Sequence, residues 1–172
     1  AGTITGSGST LTLAGTATGS SMASIVGTGA GGLTKTGTGT WTLSGASTYT
    51  GATTVSAGTL KLGATGDATN TPLGTVGSGT TVASGATLDL NGYTLGTAEA
   101  LTLNGTGVGG TAGALANSSG TAVTYSGLLT LGSDATVNAT GSITLSNAGT
   151  ITGSGSTLTL AGTATGSSMA SI

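Results

Sequence analysis

The opening of the chain is repeated near its other end. Residues 1–25 read AGTITGSGSTLTLAGTATGSSMASI, and residues 148–172 read the same string without one difference. Fold constraints alone would preserve the pattern of residue types and let individual residues drift, so this identity indicates recent duplication of a unit of 147 residues. We therefore interpret residues 1–147 as one full repeat unit and residues 148–172 as the start of the next identical unit.

Short blocks in which leucine alternates with a polar residue recur throughout the unit, as in residues 10–13 and 59–62. Side chains alternate between the two faces of a strand, so the leucines of such a block point to one side and the polar residues to the other. Turn-forming pairs such as Asn91-Gly92 follow most blocks. These patterns predict an all-β chain with essentially no helix. The leucines expected to point inward are Leu11, Leu13, Leu43, Leu60, Leu62, Leu88, Leu90, Leu101, Leu103, Leu131 and Leu145.

The supply of core residues favours one β architecture over the others. Leucine, valine and isoleucine together number 31 of 172 residues, and phenylalanine is absent. A β-sandwich needs a broad core with bulky residues, whereas a solenoid needs only a slender file of stacked aliphatic side chains. We therefore predict a right-handed parallel β-helix, a β-solenoid of about five to seven coils per unit at roughly 20 to 28 residues per coil.

One segment has a more specific pattern. Gly32-Leu33-Thr34-Lys35 is followed by the blocks Gly39–Gly45, Thr48–Gly51 and Ala57–Leu60. In these blocks residues 31–63 resemble the autotransporter-associated β-strand repeat of bacterial passenger domains. The resemblance implies a parallel β-helix, a bacterial origin and display outside the cell. Perfect copies of 147 residues are not part of that family pattern, so we expect a long repetitive fibre protein.

Ionisable chemistry is nearly absent, which argues against an enzyme. The chain has no histidine or cysteine, and its charged residues are Lys35, Lys61 and four acids. An active site needs a cluster of acid, base or nucleophile. We expect the acids to be solvated surface or turn residues and both lysines to lie on outward threonine-rich faces. We therefore expect no catalytic site, no cofactor-binding site and no metal site. The four acids are Asp67, Asp89, Glu99 and Asp134.

Charge and apolar runs also limit the partners. A net charge of −2 with two lysines cannot neutralise a phosphate backbone, so nucleic acid is excluded as a partner. No apolar stretch approaches the roughly 20 residues of a membrane helix, so we expect no membrane insertion of this segment. The expected partners are neighbouring identical repeats or protomers stacked head to tail, with contact to a cell surface or matrix. The expected location is extracellular or at the cell surface.

Three functions remain open at this stage. The first is a structural fibre, filament or stalk segment, with copies joined head to tail at intervals of 147 residues and the repeated segment related by translation and some twist. The second is an adhesin passenger region that binds a surface or host ligand. The third is an ice-binding solenoid, because Thr-x-Thr motifs such as Thr3-Ile4-Thr5 and Thr34-Lys35-Thr36 can order water. Their irregular spacing argues against the third.

Overall fold

The computed structural model describes residues 1–170 and contains 17 β-strands in that range. All residue pairing between the strands is parallel. No α-helix is present in the described range, and one 3-10 turn spans Val108–Gly110. The strands are β1 Thr3–Thr5, β2 Leu11–Leu13, β3 Ser20–Met22, β4 Ile25–Gly27, β5 Leu33–Lys35, β6 Thr40–Leu43, β7 Thr53–Val55, β8 Gly58–Leu62, β9 Thr80–Val82, β10 Ala86–Asp89, β11 Leu101–Gly105, β12 Leu115–Asn117, β13 Val123–Tyr125, β14 Leu129–Ala139, β15 Ile143–Leu145, β16 Leu158–Gly162 and β17 Ser168–Met169.

The strands stack into a β-solenoid with three faces. The first face carries β2, β5, β7, β9, β11 and the beginning of β14, each paired with the next. The second face carries β3, β6, β8, β10, β12, the end of β14 and then β16. The third face holds β1 with β4 at one end, and β13, β15 and β17 at the other. The chain visits the third, first and second faces in this order on every turn, which confirms the predicted parallel β-solenoid.

One long strand forms a corner between two faces. Residues 129–131 of β14 pair with β11 on the first face, and residues 137–139 pair with β12 on the second face. A register shift lies between Leu103 and Gly105 in the partner strand β11. Such an irregularity bends a strand, and here it accompanies the passage of β14 from one face to the other.

The core is a narrow file of aliphatic side chains inside the solenoid. Of the leucines predicted to point inward, all except Leu11 are buried, and Leu11 is half-buried and packs against the core. The inward direction of the leucines is therefore confirmed. Two tyrosines, Tyr49 and Tyr125, are also completely buried in this file. Because each coil covers only part of its own apolar side chains, the coils above and below supply the rest of the contact.

Turns between the faces use residues that tolerate a left-handed backbone. Asn91 and Gly92 have φ angles of 50° and 81°, as the Asn-Gly turn predicted from the sequence requires. The Asn91 side-chain amide also donates a hydrogen bond of 2.9 Å to the carbonyl of Leu62 in the coil below. The same turn thus redirects the chain at the end of the second face and ties two coils together.

Candidate functional site

The most regular surface of the molecule is a row of threonines on the first face. The second residue of each strand on this face is a threonine, and it pairs with the threonine of the next strand in direct register. An isolated bridge between Thr130 and Thr152 extends the row by one more turn. We call this row the threonine ladder. Its members are Thr12, Thr34, Thr54, Thr81, Thr102, Thr130 and Thr152.

The ladder faces outward because both neighbours of each threonine face the core. In β5, β7 and β11 the flanking residues are buried while the central threonine is partly exposed. Parallel strands lie about 4.8 Å apart, so seven threonines form a straight line of hydroxyl and methyl groups roughly 29 Å long. β-branched residues suit this position because their branched side chains pack on neighbours across the pleated surface.

Small side chains flank the ladder on one side. The positions two residues before its first six members share the same outward parity along the strand. They are Thr10, Gly32, Ala52, Gly79, Ala100 and Leu128. Except at Leu128, no large side chain rises beside the ladder on this side, so most of the surface is flat.

The ladder was missed in the sequence because its members are unevenly spaced. Register partners along the row are 20 to 28 residues apart, since the loops between faces differ in length. The first Thr-x-Thr motif does not stack on a second one, because Thr3 and Thr5 pair with Ile25 and Gly27. The usable signal was the central threonine of each short strand, as in Leu-Thr-Leu and Thr-Thr-Val.

Two of the four acids lie where the sequence predicts, on the surface. Asp67 is exposed and accepts hydrogen bonds from the backbone N–H groups of Thr69 and Asn70, which lower the pKa of its carboxyl group. Asp134 is exposed and accepts a hydrogen bond of 2.7 Å from the backbone N–H of Thr157 in the next coil. Both carboxylates therefore hold turns or coils in place.

The expectation of a surface position is wrong for Asp89. Its outward side chain is covered, and only 4% of the residue is exposed. Asp89 accepts hydrogen bonds from the backbone N–H and hydroxyl of Ser118, and from the backbone N–H of Asn91. Lys61 lies 3.3 Å from the Asp89 carboxylate. These contacts use both carboxylate oxygens, so Asp89 joins a turn, a strand and a neighbouring coil and has a structural role.

The same expectation is wrong for Glu99, which points into the core. The residue is 1% exposed, and one carboxyl oxygen accepts a hydrogen bond of 2.9 Å from the Thr80 hydroxyl. The other carboxyl oxygen, Oε2, is buried without a hydrogen-bond partner. Burial raises the pKa of Glu99 to about 7, because the charged form loses its hydration. Alternation from the inward Leu101 places residue 99 on the same side, which is the signal that could have found it.

Lys35 also points inward, so its predicted outward position is wrong. It is completely buried, and its ammonium group donates hydrogen bonds of 2.8, 2.8 and 3.0 Å to the carbonyls of Thr36, Gly37 and Ala57. Desolvation lowers its pKa below the ordinary value. The alternation that places Leu33 inward applies equally to Lys35, two residues later. Lys35 therefore caps the carbonyl groups of a corner, and Lys61 is the lysine that remains outward.

The described residues contain no other grouping that suggests chemistry. Within residues 1–170, no group of three or more histidine, cysteine or acidic residues is close enough to hold a metal ion. In the same range, no helix has the length and apolar character needed to cross a membrane.

Comparison with known proteins identifies one segment of the chain. Residues 33–62 match the family model of the Passenger-associated-transport-repeat. No curated protein and no solved structure matches the chain significantly. The match and the β-solenoid together fit an autotransporter passenger β-helix repeat. A repeat of this family implies a secreted or surface-exposed protein.

Proposed function

We propose that the chain is a segment of the shaft of a repetitive extracellular fibre on a bacterial surface, without enzymatic activity, in which identical units stack head to tail. The observation that carries this proposal is the exact recurrence of residues 1–25 at residues 148–172 in a chain of stacked parallel strands. Leu13 is 4% exposed under the next coil, whereas its copy Leu160 is 57% exposed. Met22 is half-buried, whereas its copy Met169 is 44% exposed.

The exposed copies belong to an apolar surface at one end of the solenoid. This end surface is lined by Val137, Ile143, Leu145, Leu160 and Met169. The counterparts of Leu160 and Met169 in the first copy, Leu13 and Met22, lie under the coil that follows them in the chain. A coil with the sequence of that following segment can therefore cover Leu160 and Met169 in the same way. Such stacking continues the parallel ladders without leaving open strand edges between units.

Electron microscopy of the purified native material tests the proposal. We expect thin, unbranched fibres of uniform width. A separate assay of polysaccharide hydrolysis should detect no enzyme activity. Compact single particles of the native protein would contradict the shaft function. An adhesin passenger, the alternative expected from the sequence, would instead show a short rod with specific binding to a host or matrix surface.

The threonine ladder favours ice binding as a second candidate function. The hydroxyl and methyl groups of the ladder repeat at about 4.8 Å on a mostly flat face, and such a regular row can order water. The ladder is a single row, however, and its flanking positions are mostly glycine and alanine. Thermal hysteresis of the purified chain tests this candidate. If ice binding occurs, Thr81→Lys in the middle of the ladder should abolish hysteresis, while Thr144→Lys on the third face should leave it unchanged.

A further inference from the structure

The two copies of the repeated segment lie on different faces of the solenoid. In the first copy, β1 lies on the third face, β2 on the first face and β3 on the second face. The corresponding residues of the second copy are Thr152 for β1, Leu158–Leu160 for β2 and Ser168–Met169 for the end of β3.

All three strand positions of the second copy are displaced by one face. Thr152 bridges to Thr130 on the first face, whereas its first copy, Thr5, pairs with Gly27 on the third face. Residues 158–160 pair with the end of β14 on the second face. β17 pairs with β15 on the third face. Three separate pairings therefore agree on the same displacement, in the direction in which the chain winds.

The displacement fixes the number of turns in one repeat unit. On the first face, β2 is followed by β5, β7, β9, β11, β14 and then Thr152, which lies six turns further along. The copy of β2 comes after Thr152 and lies one face beyond it. We propose that the 147-residue unit advances the solenoid by about six and one third turns, so that each further unit stacks on its predecessor rotated by about 120°.

This arrangement is consistent with the internal contacts of the unit. Pairing within a unit depends on the spacing between neighbouring coils, which rotation of the whole unit leaves unchanged. A unit of 147 residues at six and one third turns has a mean of about 23 residues per turn, within the observed spacing of 20 to 28. The relation between the copies is therefore a translation with a rotation of one third of a turn, which gives a magnitude to the twist expected from the sequence.

The rotation specifies how the next unit meets the end surface. The inference for an array rests on the proposed shaft function, because it assumes that units follow one another. The covering coil would have the sequence of residues 25–43, which covers the repeated segment in its first position. At the end surface that coil would begin on the first face. In the unit described, the equivalent strand β4 lies on the third face. Three units, roughly 90 Å along the axis, would restore the original face.

Engineered cysteine pairs test the rotation in the chain itself, which has no native cysteine. Thr136 and Thr159 are register partners on the second face. Parallel register partners have Cα atoms about 4.8 Å apart, within the range that a disulfide spans. The variant Thr136→Cys/Thr159→Cys should therefore form an intramolecular disulfide rapidly on mild oxidation. Thr102→Cys/Thr130→Cys, a register pair that lies wholly within the first unit and does not depend on the rotation, is the positive control.

The discriminating variant is Thr130→Cys/Thr159→Cys. If the second copy lay on the same face as the first, Thr159 would pair with Thr130, since its first copy Thr12 begins the threonine ladder on that face. We expect this pair to oxidise at least tenfold more slowly than Thr136→Cys/Thr159→Cys, measured by loss of maleimide-reactive thiols in monomeric protein. Circular dichroism of each variant should show that the β-structure is retained.

Each outcome decides the question. Faster oxidation of the Thr130→Cys/Thr159→Cys pair would overturn the rotation, as would slow oxidation of both Thr159 pairs beside a fast positive control. None of these results depends on whether the native protein forms fibres, so failure of the shaft function is separable from failure of the rotation. In native fibres the rotation predicts a layer line at about 90 Å in addition to the meridional repeat at about 30 Å.

Discussion

The buried carboxyl group of Glu99 should make the stability of the solenoid fall as the pH rises. Folding raises its pKa from the ordinary value of 4.5 to about 7. The folded state therefore holds the proton more tightly than the unfolded state over this range. The stabilising contribution of the protonated group is complete below pH 4.5 and is lost as the pH rises through about 7.

The magnitude follows from the size of the shift. A difference of this size corresponds to at most about 3 kcal/mol in the free energy of unfolding. Two structural features support the sign. Oε2 has no hydrogen-bond partner that would stabilise its charge, and neither lysine forms an ion pair with Glu99 in the described part of the chain. Lys35 is occupied by three carbonyls and Lys61 by Asp89.

Glu99→Gln removes the titration and keeps the shape of the side chain. The amide oxygen of glutamine can still accept the hydrogen bond from Thr80. Urea unfolding followed by circular dichroism at pH 5 to 8.5 measures the free energy of unfolding of both proteins. The stability of the variant relative to the wild type should increase by about 2 to 3 kcal/mol between pH 5 and pH 8.

A control variant separates this effect from a general dependence on charge. Asp67 is exposed and its pKa is lowered, so its carboxyl group stays ionised above pH 5. Asp67→Asn should therefore follow the pH dependence of the wild type. If the difference between Glu99→Gln and the wild type were the same at pH 5 and pH 8, the argument that Glu99 titrates in the core would be refuted.

Three further predictions concern packing, and urea unfolding at pH 6 measures each of them. Leu13→Ala should lower the free energy of unfolding by about 2 to 4 kcal/mol, because Leu13 is buried. The same change at its exposed copy, Leu160→Ala, should lower it by less than about 1 kcal/mol. Equal losses would contradict the difference in burial. Gly127→Ala should be strongly destabilising because a Cβ atom there would overlap the carbonyl oxygen of Glu99, while Gly120→Ala, with open space around its Cα, should be tolerated. Lys35→Met should cost about 1 to 3 kcal/mol by leaving buried carbonyls without a donor, and an unchanged stability would show that the carbonyls find other donors.

The main features of the fold could be predicted from local rules. The alternation of leucine with threonine determines which side chains point inward, and the scarcity of large apolar residues favours a narrow core. Both properties are present within a few residues of sequence, so no long-range information was needed. The same alternation also predicts the inward positions of Lys35 and Glu99. The charge of Lys35 and Glu99 obscures this parity, because their residue type alone is typical of an outward face.

The surface features depend on distances that the sequence does not display. The threonine ladder requires each coil to return to the same place, and coils of 20 to 28 residues return there only because loops of different length absorb the difference. The burial of Asp89 depends on Ser118, which is 29 residues away in the chain. The rotation between copies depends on the sum of all loop lengths in the unit. Each of these properties becomes visible only when the register of every coil is known.

The rotation also bears on which surface function an array could perform. The six ladder members that lie within one unit, from Thr12 to Thr130, are continuous on the first face for roughly 24 Å. In the next unit the copy of Thr12, Thr159, lies on the second face, so the ladder of that unit would run on a different side of the shaft. A single crystal plane of ice would then contact one unit in three. A shaft that meets neighbours or a matrix from several sides gains from the same arrangement, because each side presents a ladder at regular intervals. The threefold disposition therefore favours the structural role over ice binding in a long array.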